Sequence, residues 1–237
     1  MPAVSVAFVH VFPDNTIPSL MIASVRSVMP KVEIVQMTDP VTPVVPGVDT
    51  VIRHDWDKSK LTLFRLAQMA ALDRPASLFL DPDVIVQRPL DPVFEQPFDV
   101  ALTIRHERIK TLDGGNITPA MPYNMGVAFS RQPRFWADAL EYCRQLEASD
   151  YHDWYGDQLS VKHIADTGSF DVLELPCDQY NYSPRTEDEN VEERYAVHYK
   201  GLRKEWMMRR FGRREAPRPA RKHGLLVQLL LDIFRRR

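Results

Sequence analysis

Two aspartates interrupt an apolar run in "LFLDPDVIVQRPL", Leu78 to Leu90. Asp81 and Asp83 directly follow the strand-like segment "SLFL" and are separated only by Pro82. An unpaired buried charge is costly, so these carboxylates require water, a hydrogen-bond network or a cation. Two oxygen ligands at the open edge of a sheet suit Mg²⁺ or Mn²⁺, especially a cation that carries a diphosphate. The segment therefore predicts a divalent metal site.

The spacing of the two aspartates has little specificity by itself, because the chain contains a second Asp-x-Asp at Asp55 to Asp57. That copy follows a short segment interrupted by polar residues and leads into a lysine-rich helix start. Asp57 is placed to cap this helix, which indicates a structural role. The buried strand that precedes Asp81 and Asp83 distinguishes them from the second copy.

A third metal ligand is available in the segment "HYKGLRKEW". His198 follows the apolar strand "YAV", and imidazole is an acceptable ligand for Mn²⁺. Gly201 would allow the backbone to approach a phosphate closely, and Lys204 could supply a positive charge to a diphosphate. A structural histidine at the end of a strand is the alternative interpretation of His198.

Alternating strands and helices must position these residues. Strands are predicted in "VSVAFVHVF", "KVEIVQMTD", "TVIRH", "ASLFLDPDVIV", "FDVALTIR", "NMGVAFS", "FDVLELP" and "YAVHY". Helices are predicted in "TIPSLMIASVRSVM", from near Pro18, and in "KSKLTLFRLAQMAAL", "PRFWADALEYCRQLEA" and "DQLSVKHIAD". This order indicates an α/β fold with a mainly parallel sheet, in which ligands bind beyond the carboxyl ends of the strands.

Four segments in a fixed order resemble family 8 of the glycosyltransferases, the group of glycogenin and the bacterial lipopolysaccharide galactosyl- and glucosyltransferases. The segments are "LFLDPDVIVQRPL", "YNMGVAFS", "DQLS" and "HYKGLRKEW", and the resemblance spans about residues 60 to 206. Its most specific element is His-x-x-Gly-x-x-Lys-x-Trp at His198, Gly201, Lys204 and Trp206. The resemblance implies the GT-A fold, a Rossmann-like fold of nucleotide-diphospho-sugar transferases.

The resemblance also implies roles for the metal-site residues. Asp81, Asp83 and His198 look like the family's Mn²⁺ ligands, with Mg²⁺ as an alternative cation, and the metal bridges the two phosphates of a nucleotide-sugar. Such a cation acts as a Lewis acid on the departing nucleoside diphosphate. Lys204 matches the lysine that holds the same diphosphate.

Further residues resemble the family's donor pocket. Asn124 and Gly126 match an Asn-x-Gly segment that lines the sugar site, with a simple turn as the alternative. Asp157 and Gln158 match an Asp-Gln pair, whose carboxylate binds donor hydroxyls and whose amide faces the anomeric carbon. Asp157 could also cap the helix that it begins. Arg65 matches an arginine that reaches the donor or the first metal-site aspartate, with a solvated helix face as the alternative.

Two departures from the family pattern concern the diphosphate and the nucleobase. Glu205 stands where the family has proline, beside Lys204. The opening Asp-x-Asn-Tyr pattern for base binding is reduced to Asp14 and Asn15, and "HVF" after the first strand is an alternative surface for base stacking. Uridine is the family default for the nucleobase.

The reaction implied is transfer of a hexose from a nucleotide-diphosphate sugar, by family default a UDP-hexose, to a hydroxyl of a glycan or glycolipid. The family retains the anomeric configuration, and the leaving phosphate accepts the incoming proton. An inverting enzyme would need a base, for which Asp153 is a candidate. Two alternatives remain open: a nucleotidyltransferase, although "HVFPDNTIPS" is no glycine-rich phosphate loop, and a non-catalytic nucleotide-sugar-binding module attached to a membrane.

Composition and charge indicate a soluble domain with a basic tail. Hydrophobic residues make up 44% of the 237 residues and charged residues 26%, as in ordinary globular proteins. From Arg203 to Arg237 there are 12 basic against 3 acidic residues, while the preceding 202 residues carry 18 basic and 29 acidic ones. We therefore divide the chain into a transferase domain at 1–205 and a tail at 206–237.

The tail segment "GLLVQLLLDIFRRR" predicts a short amphipathic helix with basic flanks, which suits an anionic membrane surface. Docking on the protein's own core or on a second subunit is the alternative, and nucleic-acid binding is not expected. The opening lacks the features of a signal peptide, and no stretch reaches the roughly 20 apolar residues of a membrane span. Cys143 and Cys177 are expected to be buried thiols in a reducing compartment. These features together predict a cytoplasmic protein, peripheral at the inner face of the membrane.

Overall fold

A seven-stranded sheet forms the centre of the computed structural model, which describes residues 3–55, 57, 60–105, 107–108, 115–146 and 155–212. The strands are β1 (Ser5–Val9), β2 (Glu33–Thr38), β3 (Thr50–Arg53), β4 (Ser77–Leu80), β5 (Val84–Val86), β6 (Val100–Ile104), β7 (Tyr123–Ser130), β8 (Val172–Pro176) and β9 (Ala196–His198). The large sheet has the order β3-β2-β1-β4-β7-β6-β8, and β5 pairs with β9 in a second, small sheet.

The large sheet is mainly parallel, as predicted, with β7 as its reversed strand. β1 to β4 are mutually parallel, β7 runs antiparallel to β4 and β6, and β6 is parallel to β8. The reversal brings the N-terminal part of β7 beside the carboxyl end of β4. Asp81 N accordingly donates to Gly126 O at 2.9 Å. Residues from two distant segments thus meet at the ligand-binding edge expected for such sheets.

Helices cover both faces of the large sheet. They are α1 (Thr16–Val28), α2 (Leu61–Ala71), α3 (Pro133–Gln145), α4 (Gly156–Asp166), the single turn α5 (Cys177–Tyr180) and α6 (Lys204–Phe211), with 3₁₀ turns at Asp91–Glu95 and Gly201–Arg203. Leu78 and Leu80 pack with α1 on one face, whereas Phe79 packs with α2, α3 and α4 on the other. This alternation follows from the two-residue period of a strand and explains the continuous apolar run of β4.

The prediction of one strand across "ASLFLDPDVIV" is wrong. β4 ends at Leu80, the chain turns with Val84 N donating to Asp81 O at 3.1 Å, and β5 then joins the other sheet. Pro82 has no N–H to donate, so a strand ladder cannot continue through it undisturbed. The break places Asp81 and Asp83 at the junction of the two sheets.

One local prediction near a helix start is wrong, and another agrees to within two residues. α2 begins at Leu61 with Lys60 at its N-cap, so Asp57 does not cap it; its Oδ2 lies 3.5 Å from Lys60 Nζ instead. α1 begins at Thr16, two residues before Pro18, because Asp14 Oδ1 accepts a hydrogen bond from Thr16 N at 2.9 Å. An aspartate two residues before the first helical N–H groups stabilises such a start.

Both cysteines carry free thiols, but they differ in burial. Cys143 is buried in the core, as predicted, whereas Cys177 is only partly buried at the start of α5. Among the described helices, none combines the length and apolar character needed to cross a bilayer.

The predicted division at 205/206 falls within α6, whose Met207 is buried against Tyr199 and Ile85. Most of the predicted tail, and the candidate base Asp153, lie outside the described residues. The division into a domain and a membrane-binding tail therefore stays a prediction.

Candidate active site

Asp81, Asp83 and His198 converge where the two sheets meet, and we call them the Asp-Asp-His cluster. One ligand atom of each lies within 4.8 Å of the other two. His198 Nε2 is 3.1 Å from Asp83 Oδ1 and 3.6 Å from Asp81 Oδ2. The antiparallel pairing of β5 with β9 produces this contact, because Val84 lies opposite His198. Asp83 and His198 are buried, whereas the Asp81 side chain is 25% exposed and opens the cluster to solvent.

The donor set fits a divalent cation. Two carboxylate oxygens and one imidazole nitrogen are a ligand combination suited to Mn²⁺, with Mg²⁺ as a harder alternative. Burial acts to raise the pKa of the Asp83 carboxyl, but His198 and Lys204 outweigh it and hold that pKa below its ordinary value. Asp83 is thus a carboxylate near neutral pH, the form that binds a metal.

Asn181, which the sequence motifs did not single out, orients the imidazole. Asn181 Nδ2 donates to Thr103 Oγ1 at 2.8 Å and to Asn124 O at 3.0 Å, so Oδ1 faces His198 Nδ1, also at 3.0 Å. Because this oxygen can only accept, Nδ1 carries a proton, and Nε2 is the ring nitrogen that faces the aspartates. A buried asparagine within the aromatic stretch "YNY" was the available signal.

Gly126 provides the space for this imidazole. A Cβ at position 126 would lie 2.3 Å from His198 Nδ1 and 2.4 Å from Cε1. The residue lies inside β7 rather than in a turn, and its N–H donates to Asn124 Oδ1 at 3.1 Å. Asn124 is buried, and its carbonyl accepts from Thr103 Oγ1 at 2.7 Å. The Asn-x-Gly segment thus supports the histidine ligand as well as lying next to Asp81.

Arg65 connects the cluster to the start of α4. Its Nη2 is 2.8 Å from Asp81 Oδ1 and also donates to Met125 O, while Nη1 is 3.3 Å from Asp157 Oδ2. Burial acts to lower the pKa of Arg65, but Asp81, Asp157 and Asp83 outweigh it and raise that pKa. The alternative of a solvated arginine on a helix face is therefore wrong.

Asp157 and Gln158 occupy the first turn of α4 at the same edge. The N-cap of α4 is Tyr155, so Asp157 is not the cap. Burial raises the pKa of Asp157, and its Oδ1 is buried with no hydrogen-bond partner among the described residues. A buried oxygen of this kind is unusual and is suited to accept from a ligand hydroxyl. Gln158 Oε1 accepts from Arg105 Nη2 at 2.5 Å, a contact between residues 53 positions apart that no motif indicated.

Lys204 lies beside the cluster at the start of α6. Its Nζ is 3.2 Å from Asp83 Oδ2, and its side chain is 48% exposed. Gly201 precedes it with φ +64°, a left-handed conformation in which glycine is favoured, and a Cβ there would meet no atom within 4 Å. The glycine is therefore required by the turn that leads back to Lys204, and the space around it is open.

Asp14 and Asn15 organise the loop that follows β1. Asn15 Oδ1 lies 3.2 Å from His10 Nε2, and Asn15 Nδ2 donates to Val44 O at 3.1 Å. His10 is buried, and burial lowers its pKa, whereas Phe12 is 58% exposed. Because β1 is paired with β4, this loop lies at the same sheet edge as Asp81.

A small crevice lies beside Asp81. It is lined by residues of β1, β4 and α2, among them Val9, Leu80, Arg65 and Asp81.

Comparison with known proteins identifies the fold. No protein-family model matches the sequence, and a search of curated proteins finds no match. Among solved structures, the galactosyltransferase LgtC, in complex with donor and acceptor sugar analogs, has 13% identity and a TM-score of 0.54, over 90% of this chain and 97% of LgtC.

Two further glycosyltransferase structures are similar to this chain. A glycosyltransferase involved in the glycosylation of the major capsid of PBCV-1 has 16% identity and a TM-score of 0.58, covering 88% of this chain and 98% of its own. The glycosyltransferase GlyE of Streptococcus pneumoniae TIGR4 has 16% identity and a TM-score of 0.56, covering 85% of this chain and 58% of its own. At these identities the likeness concerns the fold: the chain has the glycosyltransferase GT-A fold that the sequence resemblance implied.

Proposed function

We propose that the protein is a metal-dependent glycosyltransferase that moves a hexose from a nucleotide-diphosphate sugar to a hydroxyl group. One observation carries this proposal. The ligand atoms of Asp81, Asp83 and His198 converge within 4.8 Å at the carboxyl edge of a GT-A sheet, with Lys204 Nζ 3.2 Å from Asp83. This edge is where open α/β sheets bind their ligands.

The Asp-Asp-His cluster would hold the cation, Mn²⁺ or Mg²⁺, together with the two phosphates of the donor. When bound, the cation supplies Lewis-acid neutralisation of the charge that grows on the nucleoside diphosphate. Lys204 is half exposed, and its ammonium group, which contacts Asp83, can move to contact a phosphate oxygen of the donor instead. The open space at Gly201 leaves the backbone accessible to the same diphosphate.

Asp157 and Gln158 would face the sugar. The buried Oδ1 of Asp157 offers an acceptor for a donor hydroxyl, and Arg65 holds the other carboxylate oxygen. Asn124 and Gly126 would line the sugar pocket from the β7 side. We propose retention of the anomeric configuration by front-face attack, with the leaving phosphate accepting the proton of the acceptor hydroxyl. The solved complex of LgtC with donor and acceptor sugar analogs supports the proposal that the substrates are a sugar donor and a sugar acceptor.

The nucleobase would stack on Phe12, the exposed aromatic residue of the loop after β1. Asp14 and Asn15 would act by shaping this loop, because their side chains are engaged by Thr16, His10 and Val44. Uridine is the proposed base, by family default. The acceptor is proposed to be a glycan or lipid-linked sugar in lipopolysaccharide or glycan biosynthesis. The basic tail would bind the anionic inner face of the cytoplasmic membrane.

The first experiment is donor hydrolysis. Purified protein is incubated with Mn²⁺ and a panel of nucleotide-sugars, and nucleoside diphosphate release is followed. We expect slow release from one donor, lost on addition of chelator and reduced at least about 100-fold in Asp83→Asn, which removes a charged metal ligand. Asp57→Asn, in the second Asp-x-Asp, is the matched control and should behave as wild type.

The outcomes separate the alternatives. Release of pyrophosphate when the protein is given a nucleoside triphosphate and a sugar 1-phosphate, with no nucleoside diphosphate released from any nucleotide-sugar, would indicate a nucleotidyltransferase. Metal-dependent binding of a nucleotide-sugar with no release, even when sugar acceptors are added, would indicate a binding module. Binding of no donor with any metal would contradict the proposal.

A further inference from the structure

Arg105, at the end of β6, clamps the side chain of Gln158. Its Nη2 donates to Gln158 Oε1 at 2.5 Å, while Nη1 donates to Met121 O at 2.7 Å and to Tyr123 O at 2.6 Å. The Arg105 backbone N–H also donates to Pro122 O at 2.8 Å. The guanidinium is therefore anchored to the segment that enters β7, and it joins this segment to the first turn of α4.

The clamp determines which atom of the amide faces the guanidinium. Arginine has donors only, so the group of Gln158 that meets Nη2 must be the oxygen and not the nitrogen. The amide nitrogen then lies on the opposite side of the group. A hydrogen bond to a charged donor in a partly buried position is stronger than one to water, which maintains this orientation.

The position of Arg105 is not explained by ion pairing. Among the described residues, the acceptors of its guanidinium are two backbone carbonyl oxygens and the Gln158 amide oxygen, and its Nε is buried without a hydrogen-bond partner. Burial lowers the pKa of Arg105, which reflects the desolvation of the charge. The Arg105 guanidinium is thus held beside Gln158 although its burial is unfavourable. This arrangement is consistent with a role in positioning Gln158 rather than in stability alone.

We infer that Arg105 is a positioning residue that holds the Gln158 oxygen during transfer, so that the amide nitrogen, and not this oxygen, is presented to the anomeric carbon. The inference rests on the proposed function. In the step that follows, the acceptor oxygen forms the new bond to the anomeric carbon, and the bond from that carbon to the diphosphate breaks. The acceptor proton passes to the departing phosphate oxygen, and no glycosyl bond to Gln158 forms.

The test separates positioning from folding and from donor binding. We expect Arg105→Met to lower kcat about 100-fold, the size of a small misplacement of a catalytic group, while the Kd for nucleoside diphosphate with Mn²⁺ changes less than about threefold. Arg105→Lys, which keeps a donor, should recover part of the loss. Gln158→Ala combined with Arg105→Met should be no slower than Gln158→Ala alone, because the two residues act as one unit.

Arg131 provides a matched control at the other end of β7. Its Nη2 donates to Phe94 O, its guanidinium lies 4.9 Å from the ring centre of Phe98, and its Nε is also buried without a partner. Arg131→Met should therefore lower the thermal midpoint as Arg105→Met does, but leave kcat unchanged.

Three results would overturn this inference but leave the proposed function intact. They are additive losses of kcat in the double variant of Arg105 and Gln158, a Kd of Arg105→Met for nucleoside diphosphate that rises as much as kcat falls, and a glycosyl adduct on Gln158 detected by mass spectrometry. Absence of turnover by the wild-type protein with every nucleotide-sugar would instead overturn the proposed function and this inference with it. The wild-type and variant measurements thus distinguish the two failures.

Discussion

His198 depends on two neighbours from different elements. Asn181 engages its Nδ1 atom, and Gly126 leaves room for its ring, so the Nε2 atom is directed at Asp81 and Asp83. Residues that orient a metal-binding histidine in this way contribute to metal affinity without touching the metal. At the scale of single residues, both neighbours can be tested by direct metal titration of the folded protein.

Asn181→Leu should lower Mn²⁺ affinity about 10–100-fold, the range observed when the partner of a metal-binding histidine is removed. The imidazole would lose the acceptor that fixes its tautomer. Calorimetric titration with Mn²⁺ measures the effect. Asn190→Ala, at an exposed asparagine whose Oδ1 accepts from Glu192 N, is the control and should bind Mn²⁺ as wild type does. Equal affinity in wild type and Asn181→Leu would contradict the role of Asn181.

Gly126→Ala should also weaken Mn²⁺ binding, by at least about tenfold, because the new methyl group would overlap the imidazole of His198 and displace it. Gly168→Ala is the control. Gly168 has φ +68° with open space around it, so its substitution should cost about 1 kcal/mol of backbone strain and leave Mn²⁺ binding intact. Retention of full Mn²⁺ affinity by Gly126→Ala would show that the ring position is not required.

At the scale of elements, the small sheet is what assembles the metal ligands. β4 carries Asp81 to the edge of the large sheet, and β5 pairs with β9, so that Asp83 and His198 become neighbours. The opposite edge of the large sheet has a purely structural network. Glu33 there accepts from Ser5 and Arg74 and, through its second oxygen, from Thr50 and Arg74 again, which ties β1, β2 and β3 to the segment before β4.

Glu33→Gln should destabilise the protein at pH 7 without affecting donor hydrolysis. The hydrogen bonds from Arg74 lower the pKa of Glu33 from 4.5 to about 2. Because its side chain is 29% exposed, solvent screening reduces the expected contribution to about 1–2 kcal/mol. Urea unfolding of wild type and Glu33→Gln measures this difference.

The pH dependence of that difference has a definite sign. The folded-state pKa of Glu33 lies below the unfolded one, so the stabilisation is fully present above about pH 4.5 and is lost as the pH falls towards 2. The difference between the two free energies of unfolding should therefore be clearly smaller at pH 3 than at pH 7 and should vanish only below about pH 2. A constant difference between pH 7 and pH 3 would mean that the carboxylate charge does not contribute.

At the scale of the whole molecule, metal binding should stabilise the fold. The Asp-Asp-His cluster joins residues 81–83 to residue 198, so a bound cation links distant parts of the chain and binds the folded state preferentially. With Mn²⁺ at 100 times its Kd, the gain is about 2.7 kcal/mol, or roughly 5–10 °C in Tm for a chain of this size. Chelator should reverse the shift, and Asp83→Asn should abolish it. An equal shift in Asp83→Asn would place the stabilising metal elsewhere.

The amino-acid sequence by itself determined the α/β class, most of the strands and the residues of the Asp-Asp-His cluster. These features follow from local patterns: apolar runs of strand length, helical spacing, and two carboxylates at a strand end. The motif His-x-x-Gly-x-x-Lys-x-Trp and the order of the four segments also identified the fold, because spacing along the chain is what such motifs consist of.

The tertiary structure alone decided how those residues are held. Asn181 and His198 are 17 positions apart, Arg105 and Gln158 are 53 apart, and each contact depends on strand register and on the orientation of a neighbouring element. The break between β4 and β5 likewise depends on a partner strand more than 100 residues away. A hydrogen bond between side chains of different elements leaves no periodic trace in either segment, which is why the partners of Asn181 and Arg105 could not be assigned before the elements were packed.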